Sequence, residues 1–189
     1  DLLKLIDHLN LKNVILCGLS IGGLYAAIAS LEEIDVKGLV LINTLRKSSS
    51  RLDWINRAMV NAAKLGGSAL IMDMGMPVIA SPKFLNKVKS NALVFKNYKP
   101  LDKNDGILKL MEGSLSTNWS FDWSKINVPT LIMTGHLDKM FRIPEDIEDL
   151  VKKIKNPIIL ELPNCGHLIP LEEPEQFSDH IIKFAKNLN

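Results

Sequence analysis

Short apolar runs alternate along the chain with longer stretches of helical period. Leu2, Leu5, Ile6 and Leu9 recur at helical spacing, so the sequence opens in a helix over residues 1–10. Val14-Ile15-Leu16-Cys17 is a continuous apolar run, the pattern of a strand covered on both faces. A stretch rich in Ala and Leu follows over 22–31 and predicts a helix; Val36–Ile42 predicts a second buried strand. Two strands joined by a helix make a right-handed βαβ unit, hence a parallel pair. The same alternation resumes later, with a strand at 129–134, a helix at 144–154 and a strand at 157–162. A closing helix at 174–188 carries Phe177, Ile181, Phe184 and Leu188 on one stripe.

Between these halves, from Thr44 to about Trp123, strand pattern is nearly absent. Ser50 to Asp53 reads as a capping box opening a helix with Leu52, Ile55, Met59 and Ala62 on one face. Ser81 is a candidate N-cap followed by Pro82 at the first helical position. Phe84, Val88, Ala92 and Phe95 continue at helical spacing, and a further helix is expected from about Gly106 to Leu115. The order predicts an α/β fold, a mostly parallel sheet flanked by helices with an all-helical insertion. On this reading residues 1–43 and 124–189 form the core and 44–123 the insertion.

Composition adds mainly exclusions. The 189 residues suit one domain, or one domain with an insertion. The net charge of +2 is spread along the chain, so nothing calls for nucleic acid or an anionic membrane. Lys83, Lys87, Lys89 and Lys96 read as a solvated helix face. The two cysteines, Cys17 and Cys165, suggest no disulfide framework; Cys17, within the first apolar strand, is expected to be a buried free thiol in a reducing, cytoplasmic setting. No signal peptide or long apolar run predicts secretion or membrane spanning. No His/Cys spacing suggests a metal, and no cofactor is expected. Gly18–Gly23 departs from a dinucleotide fingerprint, because Ser20 stands where the backbone must approach a pyrophosphate. Asp102–Gly106 begins like a calcium loop, but its glycine comes one position early and the closing Glu is missing.

The candidate chemistry begins at Gly18-Leu19-Ser20-Ile21-Gly22, which matches the G-x-S-x-G nucleophile elbow. There a strand reverses into a helix so sharply that small residues are needed either side of the serine. A plain strand–turn–helix with a capping serine would explain the pentapeptide alone. Acyl transfer by serine needs in addition an imidazole, a carboxylate to orient it, and N–H donors for the oxyanion. Asp138 follows the strand ending near Thr134, and His167 follows the strand ending at Leu162. Both sit, like Ser20, past the carboxyl end of a predicted strand, where open α/β sheets place their sites. His8 and His180 fall in predicted helices, while His136 can also face the cleft. Cys165 reads as a small structural residue.

Taken together, these segments resemble the α/β-hydrolases of the capped esterase, lactonase and carbon–carbon-bond hydrolase kind. Four of them carry the resemblance: Gly18 to Gly23, Val128-Pro129-Thr130-Leu131 through Gly135 to Asp138, Gly166-His167, and Leu171-Glu172-Glu173-Pro174 with Phe177. The resemblance implies Ser20 as nucleophile, His167 as general base and acid, and Asp138 as orienting carboxylate. The backbone N–H of Ile21 would be an oxyanion donor and the insertion a lid. Some members place the acid after the strand before the lid; here Asn43-Thr44 stands there. The implied activity is cleavage of a small, mostly apolar ester, lactone or diketone-type substrate. Leu19, Trp54, Met59, Met72, Met76 and Trp119, with Met74 and Trp123, are candidates to line its pocket. The family's N-terminal strands, and the second oxyanion donor they supply, have no counterpart in this sequence. The strand at 14–17 is therefore expected to be an open edge: either the sequence is a fragment of a longer protein, or a second copy or another chain covers that edge. The competing expectation is a catalytically weak or inactive ligand-binding, partner-dependent module on the same fold.

Overall fold

The structure is a computed structural model that describes residues 1–44 and 47–188. Four strands, β1 (Val14–Leu19), β2 (Val36–Ile42), β3 (Thr130–Gly135) and β4 (Ile158–Leu162), form one parallel sheet in the order β1-β2-β3-β4. The helices are α1 (Leu2–His8), α2 (Ile21–Ala29), α3 (Ser50–Ile79), α4 (Pro82–Val88), α5 (Gly106–Gly113), α6 (Pro144–Lys153), α7 (Ile169–Glu172) and α8 (Pro174–Lys186). After a register shift between Val14 and Ile15 the pairing runs in step, with Leu16 beside Leu39, Val40 beside Leu131 and Ile132 beside Ile159.

The period of two in each strand sorts its side chains between two cores. Leu16, Leu39, Leu41 and Ile132 face a cluster that takes in Ile6 of α1, Leu24 and Ala27 of α2, and Leu150 of α6. Val40, Ile42, Leu131, Met133 and Leu162 face the other side, where Phe184 of α8 is buried and Phe177, Ile181 and Leu188 are packed. The central strands β2 and β3 are covered on both faces, and Leu39–Ile42 and Leu131–Met133 are buried throughout.

Four local expectations change. Cys17 is exposed. It shares a face of β1 with half-buried Ile15 and Leu19, and among the described residues β1 pairs on one side only, so cover is thinner there than over β2 and β3. Ser49, one residue earlier than expected, caps α3 by accepting from Leu52 N–H at 3.1 Å. The helix from Pro82 stops at Val88 and does not run on through Ala92 and Phe95; Leu93 turns at φ 59°. The cause is distant in sequence: Asp73 of α3 accepts from Leu93 N–H at 2.9 Å and from the Tyr98 hydroxyl at 2.8 Å. Trp119 and Trp123, expected near a pocket, are buried at 6% and 5% exposure in the cluster with Leu52 and Ile126.

Between β2 and β3 the described residues contain α3, α4, α5 and short 3-10 turns, with no strand. Residues 45 and 46 of the expected insertion lie outside the described residues. α3 is broken at Gly67 (φ 68°, ψ −160°), and its last turn returns to the carboxyl end of the sheet.

Candidate active site

β1 ends at Leu19 and α2 begins at Ile21, so Ser20 alone makes the reversal, at φ 56° and ψ −123°. A non-glycine residue held there stores about 1–3 kcal/mol and persists only where its surroundings leave no alternative. Those surroundings are visible. Ser20 N–H donates to the Ile42 carbonyl at 2.8 Å, and Gly23 N–H donates to the Ser20 carbonyl at 3.1 Å. A Cβ on Gly18 would run into the backbone of Gly22 and Gly23, and one on Gly23 would run into the side chain of Thr44. Thr44 is itself buried, with Oγ1 3.4 Å from the carbonyls of Gly18 and Ile42. Gly22 departs from the motif's steric logic, since nothing lies within 4 Å of a Cβ placed there.

Ser20 occupies the N-cap position of α2 but makes no side-chain capping bond to it. The capping explanation of the motif therefore loses its main support. Ile21 opens the helix, so its N–H belongs to the first turn, which the helix cannot satisfy itself and which carries the positive end of the macrodipole.

Asp138 and His167 come together past the ends of β3 and β4. Asp138 Oδ2 lies 2.6 Å from His167 Nδ1, and the two side chains are 1% and 6% exposed. Asp138 Oδ1 accepts from the backbone N–H groups of Met140 (3.1 Å) and Phe141 (3.0 Å). An ionised carboxylate can only accept, so this arrangement favours the hydrogen on Nδ1 and leaves Nε2 as the basic nitrogen of the neutral ring. The half-buried Phe141 ring packs beside the imidazole, with the ring centroids 5.1 Å apart.

Several residues that hold this pair have no role in the sequence reading. Asn43, at φ 44° just past β2, donates through Nδ2 to the carbonyls of His167 (2.8 Å) and Gly166 (3.2 Å). Its Oδ1 accepts from Gly135 N–H at 2.9 Å, so one side chain links the acid strand to the histidine loop. The end of α3 supplies two carbonyls, Val78 to Lys139 N–H (2.9 Å) and Ile79 to His167 N–H (2.6 Å). Arg51, at the start of α3, donates to the carbonyls of Lys139 (2.7 Å) and Met140 (3.2 Å). One signal for Asn43 was available: it follows a central strand at the same end of the sheet as Ser20, Asp138 and His167.

The pocket candidates scatter. Trp54 is 79% exposed and, with Arg51, Ile55, Val78 and Met140, borders an apolar groove beside the Asp138 loop. Leu19 is half-buried against the cluster under α8. Met59 is half-buried, Met76 is buried, and Met72 and Met74 are exposed. Trp119 and Trp123 are core. Of the rival histidines, His136 faces Glu161, with Nε2 3.3 Å from Oε1. Cys165 is 1% exposed, and its thiol is pushed up to about 12 by burial and by the negative charges of Glu172 and Glu173. Among the described residues no cluster of His, Cys, Asp and Glu could hold a metal ion, and no helix is long and apolar enough to cross a membrane.

Comparison with known proteins gives a consistent answer. The family model described as "Alpha/beta hydrolase family" matches residues 1–180. An uncharacterized hydrolase, YugF, of Bacillus subtilis is 26% identical over 195 residues, which cover 96% of this chain and 68% of that protein. The structure of a thermophilic esterase from Thermogutta terrifontis superposes with a TM-score of 0.81 at 23% identity, covering 100% of this chain and 70% of the esterase. The enol-lactonase from Burkholderia xenovorans LB400 superposes with a TM-score of 0.79 at 19% identity, covering 98% of this chain and 70% of the lactonase.

Proposed function

The chain belongs to the alpha/beta hydrolase family, and from that premise we propose that it is a cofactor-free serine hydrolase of small, mostly apolar esters or lactones. The observation that carries the proposal is the buried pair of His167 and Asp138, 2.6 Å apart at the same end of the sheet as the strained Ser20 turn. In this reading His167 Nε2 removes the Ser20 hydroxyl proton as Oγ attacks the substrate carbonyl. The Asp138 carboxylate holds the Nδ1–H tautomer and stabilises the imidazolium that forms. The tetrahedral oxyanion is received by the Ile21 N–H at the start of α2. As the intermediate collapses, imidazolium returns its proton to the leaving alkoxide and an acyl-Ser20 ester remains. Water, deprotonated by His167, then releases the acid and restores the serine.

Apolar substrate is supported by the groove of Trp54, Ile55, Val78 and Met140, which adjoins the Asp138 loop. The helical segment over 44–123 acts as the lid, its α3 touching that loop at both ends through Arg51 and Val78. A series of p-nitrophenyl esters from acetyl to octanoyl tests the proposal. Hydrolysis is expected for the wild type and to vanish into background for Ser20→Ala and His167→Ala. Equal rates for Ser20→Ala and wild type would reject it.

A further inference from the structure

Glu172 is a buried carboxylate, 7% exposed, that the hydrolytic scheme does not use. It ends α7, and its partners are backbone N–H groups. Oε2 accepts from Gly166 at 3.0 Å and from Ser81 at 2.8 Å, and Oε1 accepts from Leu168 at 3.1 Å. Gly166 and Leu168 flank His167. Ser81 belongs to the helical segment and is the N-cap of α4, two residues past the end of α3. A buried carboxylate is costly unless its lone pairs are filled, and three charge-assisted bonds fill them here.

Glu172 completes a pattern. The N–H groups of residues 166, 167 and 168 go to Glu172, the Ile79 carbonyl and Glu172. The carbonyls of residues 166 and 167 go to Asn43. Every backbone polar group from Gly166 N to Leu168 N is thereby fixed, the N–H groups by the Glu172 carboxylate and the Ile79 carbonyl, the carbonyls by the Asn43 amide. There is also no slack. A Cβ on Gly166 would strike the Ile79 carbonyl, the Ala80 Cα and Glu172 Oε1. The histidine loop and the strip Ile79–Ser81 are pressed together with Glu172 as the bridge.

Building on the hydrolase reading, we propose that Glu172 is a positioning residue. It sets the imidazole of His167 against Asp138 and makes that setting depend on the helical segment through Ser81. Movement of the strip Ile79–Ser81 withdraws one N–H from Glu172 and one carbonyl from His167. The seating of the lid and the alignment of the base are therefore one event. Glutamine cannot replace Glu172: its amide nitrogen would face either Leu168 N–H or the N–H pair of Gly166 and Ser81, donor against donor.

The test uses Glu172→Gln, with Glu173→Gln as the control. Glu173 is the adjacent carboxylate, paired at the surface with Lys83, so the control removes the same charge without touching the loop. Two signals are read: the rate of fluorophosphonate labelling, and the far-downfield proton resonance of the short His167–Asp138 bond. Misplacing a base by a fraction of an ångström to one ångström costs about 10–100-fold in rate. Glu172→Gln is expected to label that much more slowly and to broaden or lose the resonance, while Glu173→Gln keeps both within about twofold of wild type. Unchanged labelling and an unchanged resonance in folded Glu172→Gln would overturn the proposal. If Glu172→Gln does not fold, amide exchange in the wild type decides. Gly166, Leu168 and Ser81 are expected to exchange slowly and together, and fast exchange of Gly166 or Leu168 overturns the proposal. Should the wild type take no label, the hydrolase reading fails, and the resonance alone judges Glu172.

Discussion

Ser20 and His167 lie past the ends of strands in the same sheet, yet their turns are held by opposite means. The Ser20 turn is held by volume. Gly18 and Gly23 leave no room for a side chain, and Thr44 closes the space behind them. The His167 turn is held by polar chemistry, with Asn43, Glu172 and the Ile79 carbonyl taking up its backbone groups. A turn held by packing fails when atoms are added, whereas a turn held by hydrogen bonds fails when polar atoms are removed. The Ser20 turn also contains strain, since φ at Ser20 is positive, and the close packing at Gly18 and Gly23 helps to hold it there.

The sharpest polar break is Asp138→Asn, which keeps shape and reverses the hydrogen bond to Nδ1. Ester turnover is expected to fall by about 10⁴-fold with little change in the thermal midpoint, as read by steady-state rates and calorimetry. The volume side is tested by Gly18→Ala and Gly23→Ala. Each is expected to cost about 3 kcal/mol in urea unfolding, because the atoms met are backbone or the base of Thr44. Gly22→Ala is the contrast within the same motif. It lies in α2 with open space around it and should change stability by less than about 1 kcal/mol, on the stabilising side. Asn43→Ala deletes three hydrogen bonds and adds no volume. A loss of about 2 kcal/mol is expected, with faster amide exchange at Gly135 as its local sign. The smallest effect concerns the thiols, where exposed Cys17 should react with a maleimide well before Cys165, which is buried and has its thiol pushed up to about 12. Faster reaction at Cys165 would mean that the His167 loop opens more readily than its hydrogen bonds imply.

Much of this arrangement was legible in the sequence because it follows from local pattern. Each of the four strands is an apolar run bounded by turn residues, and Ser20, Asp138 and His167 each come just after one. What was not legible depends on partners far along the chain. Asp73 ends the helical pattern at Ala92 and Phe95 from twenty residues away. Trp119 and Trp123 look the same in sequence whether they line a pocket or fill a core, and here they fill a core. Cys17 has the neighbours of a buried residue, but its cover depends on what lies beside β1, which is an edge of the sheet. Asn43 and Glu172 stood beside recognised motifs, but backbone groups are their partners, and no spacing rule reveals those.

Ser20 is proposed as a nucleophile activated by His167 and Asp138. Labelling with a fluorophosphonate, followed by mass spectrometry of the peptide containing residues 18–23, tests it most directly. One adduct is expected, on Ser20, lost in Ser20→Ala and slowed strongly in His167→Ala. An adduct on another residue, or equal labelling of Ser20→Ala and wild type, would contradict it.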